Sequence, residues 1–452
     1  MRRRKQSQTA LALRDPRNAG SFIFFTLCLL TGGGAVEFGP RLGLQVLAAL
    51  VLVAWTWPKG EERQDLMQSA PSSLRWLALA FILVPLMQLV PLPAEIWQIL
   101  PGREFDLAVR KAVGAESGSF PISISPLDTA LTPFALVVLG AVTYAALISS
   151  YSSIRAYYWL LVGFAALNVV IGVLQLASGG GSLDFYDSPH STNLLGLFSN
   201  RNHTALFLAA SIPIAFHLIY SSRFEANVRL AATGLTLIIG WAGIIGTTSR
   251  AGIALGVLAT IGAFFLSRKE WIARKRNAAW QLIVAVGIAS IGILFALSAR
   301  TEYILSRLSD IDQDLRWEIW TRSLQLVGDS WPIGAGFGTF QSYYRRFETS
   351  DDLRGQFINN AHNDILEVLI EGGLPSGMLL LFTIVLLGWA TMRILRREGA
   401  TIKSPIVAML IFPWLAVAHS MVDYPMRRMT IAVPVIFIFV LALRWAKEPN
   451  RS

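Results

Sequence analysis

Apolar runs close to the length that crosses a bilayer recur from one end of this chain to the other, and nothing else in the sequence constrains its fold as strongly. They lie near 21–37, 42–57, 74–92, 131–149, 156–176, 203–221, 230–246, 251–266, 279–298, 363–391, 405–422 and 430–446. A helix needs roughly 20 apolar residues to span the hydrocarbon core, so the pattern predicts an all-α, polytopic transmembrane helical bundle of about 12 spans. The composition agrees: 54% of residues are hydrophobic and 15% charged, against about 25% charged in soluble domains. A soluble globular fold is excluded. The single cysteine, Cys28, falls inside the first run and cannot form an internal disulfide.

The formal net charge of +10 reports topology rather than a nucleic-acid partner, because the basic residues are scattered through short loops and form no stripe. With an even number of spans both termini share one side, and the loops on that side hold most of the Lys and Arg, including Arg268, Lys269, Arg274, Lys275, Arg276, Arg393, Arg396, Arg397 and Lys403. The positive-inside rule makes that side cytoplasmic. The basic start Met1-Arg2-Arg3-Arg4-Lys5 precedes the first run without a clear cleavage site, so a retained first helix is expected. The expected organisation is a basic tail at 1–20, spans one to nine at 21–298, a long outer loop at 299–361, spans ten to twelve at 362–446 and a tail at 447–452. Aromatic residues such as Trp317, Trp320, Trp331, Phe337, Phe340, Tyr343 and Tyr344 argue against a disordered linker in the long loop. Apolar residues at helical spacing between Asp314 and Val327 predict short helices there.

Ionisable groups at membrane depth cost roughly 2.5 to 3.5 kcal/mol each on insertion scales and call for a partner or a task. The predicted topology brings several to one face: Arg201 and His203 at the start of span six, Arg250 between spans seven and eight, Arg316 in the long loop, His362 at the start of span ten, and Asp423 with Arg427 between the last two spans. Arg250 stands in Thr247-Thr248-Ser249-Arg250-Ala251-Gly252. It reads either as a snorkelling interfacial arginine or as a clamp whose planar guanidinium matches phosphate or carboxylate oxygens. Arg316 taken alone reads as a surface partner of Asp312 or Asp314. His362, in Asn359-Asn360-Ala361-His362-Asn363-Asp364, is either a cap or a general base. The five histidines show no metal-ligand spacing. Asp310-Ile311-Asp312-Gln313-Asp314 lacks the glycine and terminal glutamate of a calcium loop and reads as a solvated acidic loop. Gly334-Ala335-Gly336-Phe337-Gly338 has no strand and helix around it and reads as a tight turn rather than a nucleotide fingerprint.

Taken in order, Gly196-Leu197-Phe198-Ser199-Asn200-Arg201-Asn202-His203, Thr248-Ser249-Arg250-Ala251-Gly252, Pro332-Ile333-Gly334-Ala335-Gly336-Phe337-Gly338-Thr339-Phe340, Ala361-His362-Asn363-Asp364 with Glu371-Gly372-Gly373-Leu374, and His419-Ser420-Met421-Val422-Asp423-Tyr424-Pro425-Met426-Arg427 resemble the bacterial O-antigen ligase and polysaccharide polymerase superfamily. The resemblance spans roughly residues 190 to 430. It implies a GT-C type glycosyltransferase of the bacterial inner membrane, with its long loop and active site facing the periplasm and both termini in the cytoplasm. The implied donor is a glycan on undecaprenyl pyrophosphate, and the acceptor is lipid A core or another lipid-linked glycan. The implied chemistry is inverting, without a metal or other cofactor. The resemblance makes His362 the general base and Arg250 and Arg316 the groups that stabilise the pyrophosphate leaving group. Arg201, His203, Asn363 and Arg427 follow as substrate-binding candidates. A transporter or flippase of lipid-linked sugars is the rival from another class, and it would need a midplane site and repeated halves. A protein O-oligosaccharyltransferase ranks third.

Overall fold

The computed structural model describes residues 14–34, 40–61, 70–179, 183–186, 188, 190–272, 315–348 and 358–447. The predicted span 279–298, the acidic loop 310–314 and the basic start Met1 to Lys5 lie outside them. Each of the other predicted spans coincides with a helix. These are α1 (Pro16–Thr31), α2 (Pro40–Thr56), α3 (Ser72–Gln88), α6 (Pro126–Ile148), α7 (Ile154–Ala177), α8 (Arg201–Tyr220), α9 (Ala226–Gly246), α10 (Arg250–Ile272), α13 (Asp364–Glu398), α14 (Val407–Ser420) and α15 (Met429–Lys447). Between α3 and α6 lie a two-stranded antiparallel pairing of β1 (Pro91–Pro93) with β2 (Ser119–Pro121) and the short helices α4 (Ala94–Trp97) and α5 (Glu104–Ala112). The predicted helix beginning near Asp314 is α11 (Leu315–Ser330), followed by α12 (Phe340–Tyr344).

Among the described helices, 7 are long and apolar enough to cross a membrane: α6 to α10, α13 and α15. The expectation of about 12 spans is not reached by this measure. The apolar runs of α2, α3 and α14 fold into helices of only 17, 17 and 14 residues.

Helix α8 is the axis of the bundle. It is apolar all round, as a helix with no solvent or lipid face should be, and every one of its residues is buried. Helices α7, α9, α10 and α14 pack around it. A Cβ on Gly252 would lie 2.2 Å from Ala205 Cβ, so the glycine lets α10 approach α8 closely, as small residues do between membrane helices. Phe207 of α8 packs edge-on against Phe164 at 5.1 Å and Phe412 at 5.5 Å between ring centroids. The functional consequence is positional. The first residues of α8 are a polar run, Arg201-Asn202-His203, held against the α9–α10 turn and the connection between α14 and α15.

One feature couples the long loop to the bundle. Helix α13 is broken at Gly373 (φ 57, ψ −151) just before Pro375, and the freed backbone groups are taken up by the glycine-rich turn after α11. Ala335 N–H donates to Ile370 O at 2.8 Å, Gly336 N–H to Glu371 O at 2.9 Å, and Leu374 N–H to Pro332 O at 2.8 Å. The two backbones are so close that a Cβ on Gly373 would meet Pro332 O at 2.2 Å and one on Gly334 would meet Glu371 O at 2.5 Å. The predicted tight turn is thus also a splint for a helix break, and the Glu-Gly-Gly run supplies the break. Replacing Gly373 by Ala adds that clash to a left-handed backbone strain of about 1 to 3 kcal/mol. A clear fall in Tm in detergent is expected, whereas Gly140→Ala, where a Cβ meets nothing within 4 Å, should leave Tm unchanged or slightly raised.

Candidate active site

The site is built at the end of the bundle where α8, α10, α13 and α15 begin and α14 ends. Its centre is Asp423, in the short connection between α14 and α15, with no exposed surface. The α8 N-cap, Asn200, accepts from Asn202 N–H at 2.9 Å. From there Asn202 Nδ2 donates to Asp423 Oδ2 at 2.6 Å, while its carbonyl accepts from Ser249 Oγ at 2.7 Å. The Tyr424 N–H donates to Asp423 Oδ1 at 2.9 Å. Three imidazoles and a guanidinium complete the shell. His362 Nδ1 lies 3.5 Å from Oδ1, His203 Nε2 3.8 Å from Oδ1, His419 Nε2 3.8 Å from Oδ2, and Arg316 Nη2 3.7 Å from Oδ2. Burial alone would raise the Asp423 carboxyl, but the facing His203 and His362 imidazoles outweigh it and hold its pKa well below the usual carboxylate range. A depressed folded value means that the stability from this charge is present above the unfolded value of about 3.9 and is lost only as pH falls through the folded one. Asp423 therefore stays ionised throughout the neutral range.

Arg250 and Arg316 face one cavity of about 330 Å³ between α10 and α14, lined also by Ala251, Ala254, Leu255, Ala418, His419 and Val422. Its lining combines these two guanidinium groups with mostly aliphatic side chains. Arg316 belongs both to the cavity and to the shell of Asp423, so it ties the arginine pair to His362. Arg316 faces Asp423; Asp312 and Asp314 lie outside the described residues. His362 is half-buried, stands at 5.0 Å from the Tyr424 ring and has a left-handed backbone (φ 49). The only other non-glycine residue with positive φ among those described is Thr248 (φ 53), beside Arg250. Non-glycine residues in this region cost of order 1 to 3 kcal/mol and tend to mark functional sites. Nδ1 is the nitrogen of His362 turned to Asp423.

The remaining predicted residues divide by use. His203 lies in the Asp423 shell, fully buried. Arg201 is buried beneath the turn that carries Arg250, with Nη1 donating to Thr248 Oγ1 at 2.8 Å. Asn363 caps α13: its carbonyl accepts from Ile365 and Leu366 N–H, and its Nδ2 donates to Met421 O at 2.9 Å. Arg427 is held by two buried carboxylates, with Nε 3.0 Å from Glu367 and Nη2 2.7 Å from Glu371. Those carboxylates outweigh the cost of burial and raise the Arg427 pKa. Glu371 also accepts from Phe340 N–H at 3.2 Å, so this ion cluster fastens the long loop to α13.

His203, His419 and Asp423 bring one ligand atom each within 4.8 Å of one another, a convergence that their sequence spacing did not suggest. They could hold a divalent cation. The carboxylate, however, already faces Arg316 and Asn202, and the guanidinium supplies the positive charge a cation would bring. Sequence reasoning gave no role to Asp423, Asn202 or His419. The only local signal was the one-turn spacing of His419 and Asp423, which puts both on one side of the α14 end.

Residues 235–382 match the protein-family model described as O-antigen ligase. Over those residues, about a third of the chain, the protein is similar to that family. That match supports the resemblance to the O-antigen ligase and polymerase superfamily and indicates a membrane enzyme of glycosyltransferase type. A search of curated proteins finds no match. The matched region contains Arg250, Arg316 and His362, whereas Asp423, His419, Asn202 and His203 lie outside its limits and reach it only through the fold.

Removing the hub should be felt throughout. Asp423→Ala leaves Arg316, Asn202 and the imidazoles around an empty position, and loss of one partner of a buried charge pair costs about 3 to 5 kcal/mol. A large fall in thermal stability in detergent is expected. Asp423→Asn, which retains an acceptor for Asn202, should lose distinctly less.

Proposed function

We propose that this protein transfers a glycan from an undecaprenyl-pyrophosphate carrier to an acceptor hydroxyl, at the periplasmic face of the bacterial inner membrane. The observation that carries the reading is the joint placement of His362 and Arg316 on one buried carboxylate, with Arg250 lining the same cavity as Arg316. Both cytoplasmic termini and the periplasmic position of the site follow from the distribution of Lys and Arg along the sequence.

In the proposed reaction His362 Nε2 takes the proton from the acceptor hydroxyl as its oxygen attacks the anomeric carbon. The bond from that carbon to the pyrophosphate oxygen breaks, and the configuration inverts. Asp423 favours the imidazolium that forms and fixes the ring through Nδ1. Negative charge grows on the departing pyrophosphate, where two fixed guanidinium groups at a low-dielectric site stabilise the transition state more than the ground state. The aliphatic walls of the cavity suit the first isoprene units next to the pyrophosphate. No metal is required, because Arg250 and Arg316 supply the positive charge. The acceptor is lipid A core in a ligase and a second lipid-linked glycan in a polymerase.

Reconstituted protein supplied with a lipid-linked glycan donor and each acceptor in turn tests the reading. His362→Ala should lose about 10² to 10⁴ in rate, the usual contribution of a general base, and Arg250→Ala should lose activity without regaining it when a divalent cation is added. Equal product from wild type and both variants would refute the mechanism. Activity abolished by EDTA and restored by a divalent cation would transfer the leaving-group role to a metal at His203, His419 and Asp423.

A further inference from the structure

Helix α5 wears its apolar stripe on the outside. Phe105, Ala108, Val109 and Ala112 recur at the spacing of one helical face, and all four are exposed, as is Val113 just beyond the helix. The exposed fractions are 56% for Phe105, 48% for Val109 and 72% for Val113. The inward side is the more polar one. The Arg110 guanidinium sits over the Phe120 ring at 3.7 Å, and Asp106 pairs with Arg346 of the long loop. Next to α5, Ile96 and Ile99 are 49% and 79% exposed. An amphipathic helix packed on a protein core has the opposite orientation, and a contiguous apolar patch of this kind marks an interaction surface.

We propose that the partner is the lipid leaflet, with α5 and the α4 end lying in its headgroup region at the same end of the bundle as the active site. The chain arrives from α3, whose outward residues Leu79, Ile82, Leu83, Leu86 and Met87 are exposed apolar side chains, and passes through exposed Val90. It leaves into α6, one of the helices long and apolar enough to cross a membrane. The apolar surface of α5 therefore lies in sequence between the exposed apolar face of α3 and a helix of membrane-crossing length. Lys111, exposed beside the stripe in the last turn, suits anionic headgroups, as basic residues on interfacial helices do. The anchorage reaches the site mechanically. Arg103, at the N-terminal end of α5, donates to Ile122 O and Gly334 O, and Asp106 holds Arg346, so an immersed α5 fixes the loop that splints α13. This inference needs only a bilayer around the bundle and stands apart from the catalytic reading.

Site-directed fluorescence tests it. Cys28 is the one cysteine, so Cys28→Ala gives a background in which Phe105→Cys and Val109→Cys each carry a single environment-sensitive label. In liposomes of phosphatidylethanolamine and phosphatidylglycerol, both labels should lose most of their emission to brominated lipid and little to aqueous iodide. Nanodiscs holding one copy should give the same result. Labels quenched by iodide and not by brominated lipid would overturn the proposal. So would shielding that vanishes in single-copy nanodiscs, which would assign the face to a second copy of the chain.

Discussion

A single buried carboxylate organises this end of the molecule. Asp423 lies in a connection only a few residues long, with no access to solvent, and a lone charge there would cost several kcal/mol. It is kept by a shell drawn from the whole bundle: Asn202 and His203 from the start of α8, Arg316 from α11, His362 from the start of α13, and His419 from the end of α14. Each contact satisfies the charge and also fixes where one helix ends relative to another. The catalytic candidates inherit their positions from that arrangement.

The second determinant is the exchange of backbone hydrogen bonds between the glycine-rich turn and the break in α13. Gly334, Gly336 and Gly373 all have positive φ, and their missing side chains let two backbones meet. Glu371, whose carbonyl takes part in this exchange, uses its carboxylate to bind Arg427 and the Phe340 N–H. The same few residues thus attach the long loop to the bundle and set the height of the α13 start, where His362 stands. Loop and site are one mechanical unit, and the outward apolar face of α5 extends that unit toward the lipid.

Much of this was legible in the sequence because it depends on local patterns. Apolar run lengths located the helices, and the family resemblance carried by short motifs made Arg250, Arg316 and His362 candidates. The role of Asp423 was not legible, since all its side-chain partners but His419 come from distant segments, Asn202 from 221 residues away, and an aspartate between two apolar helices has many ordinary explanations. Asn363 and Arg427 are substrate-binding candidates on the family resemblance, and each also has a structural use that only a three-dimensional arrangement reveals: the first caps α13, and the second pairs with Glu367 and Glu371. The convergence of His203 and His419 was hidden for the same reason.

The central claim is that His362 acts through its contact with Asp423, and a double-mutant cycle on glycan transfer tests it most directly. Rates would be measured for wild type, Asp423→Asn, His362→Ala and the double variant, with each protein confirmed as folded. Residues that act as one unit are strongly non-additive, so the loss in the double variant should fall far short of the product of the single losses. Losses that multiply in full would show two independent contributions and contradict an Asp423-centred site.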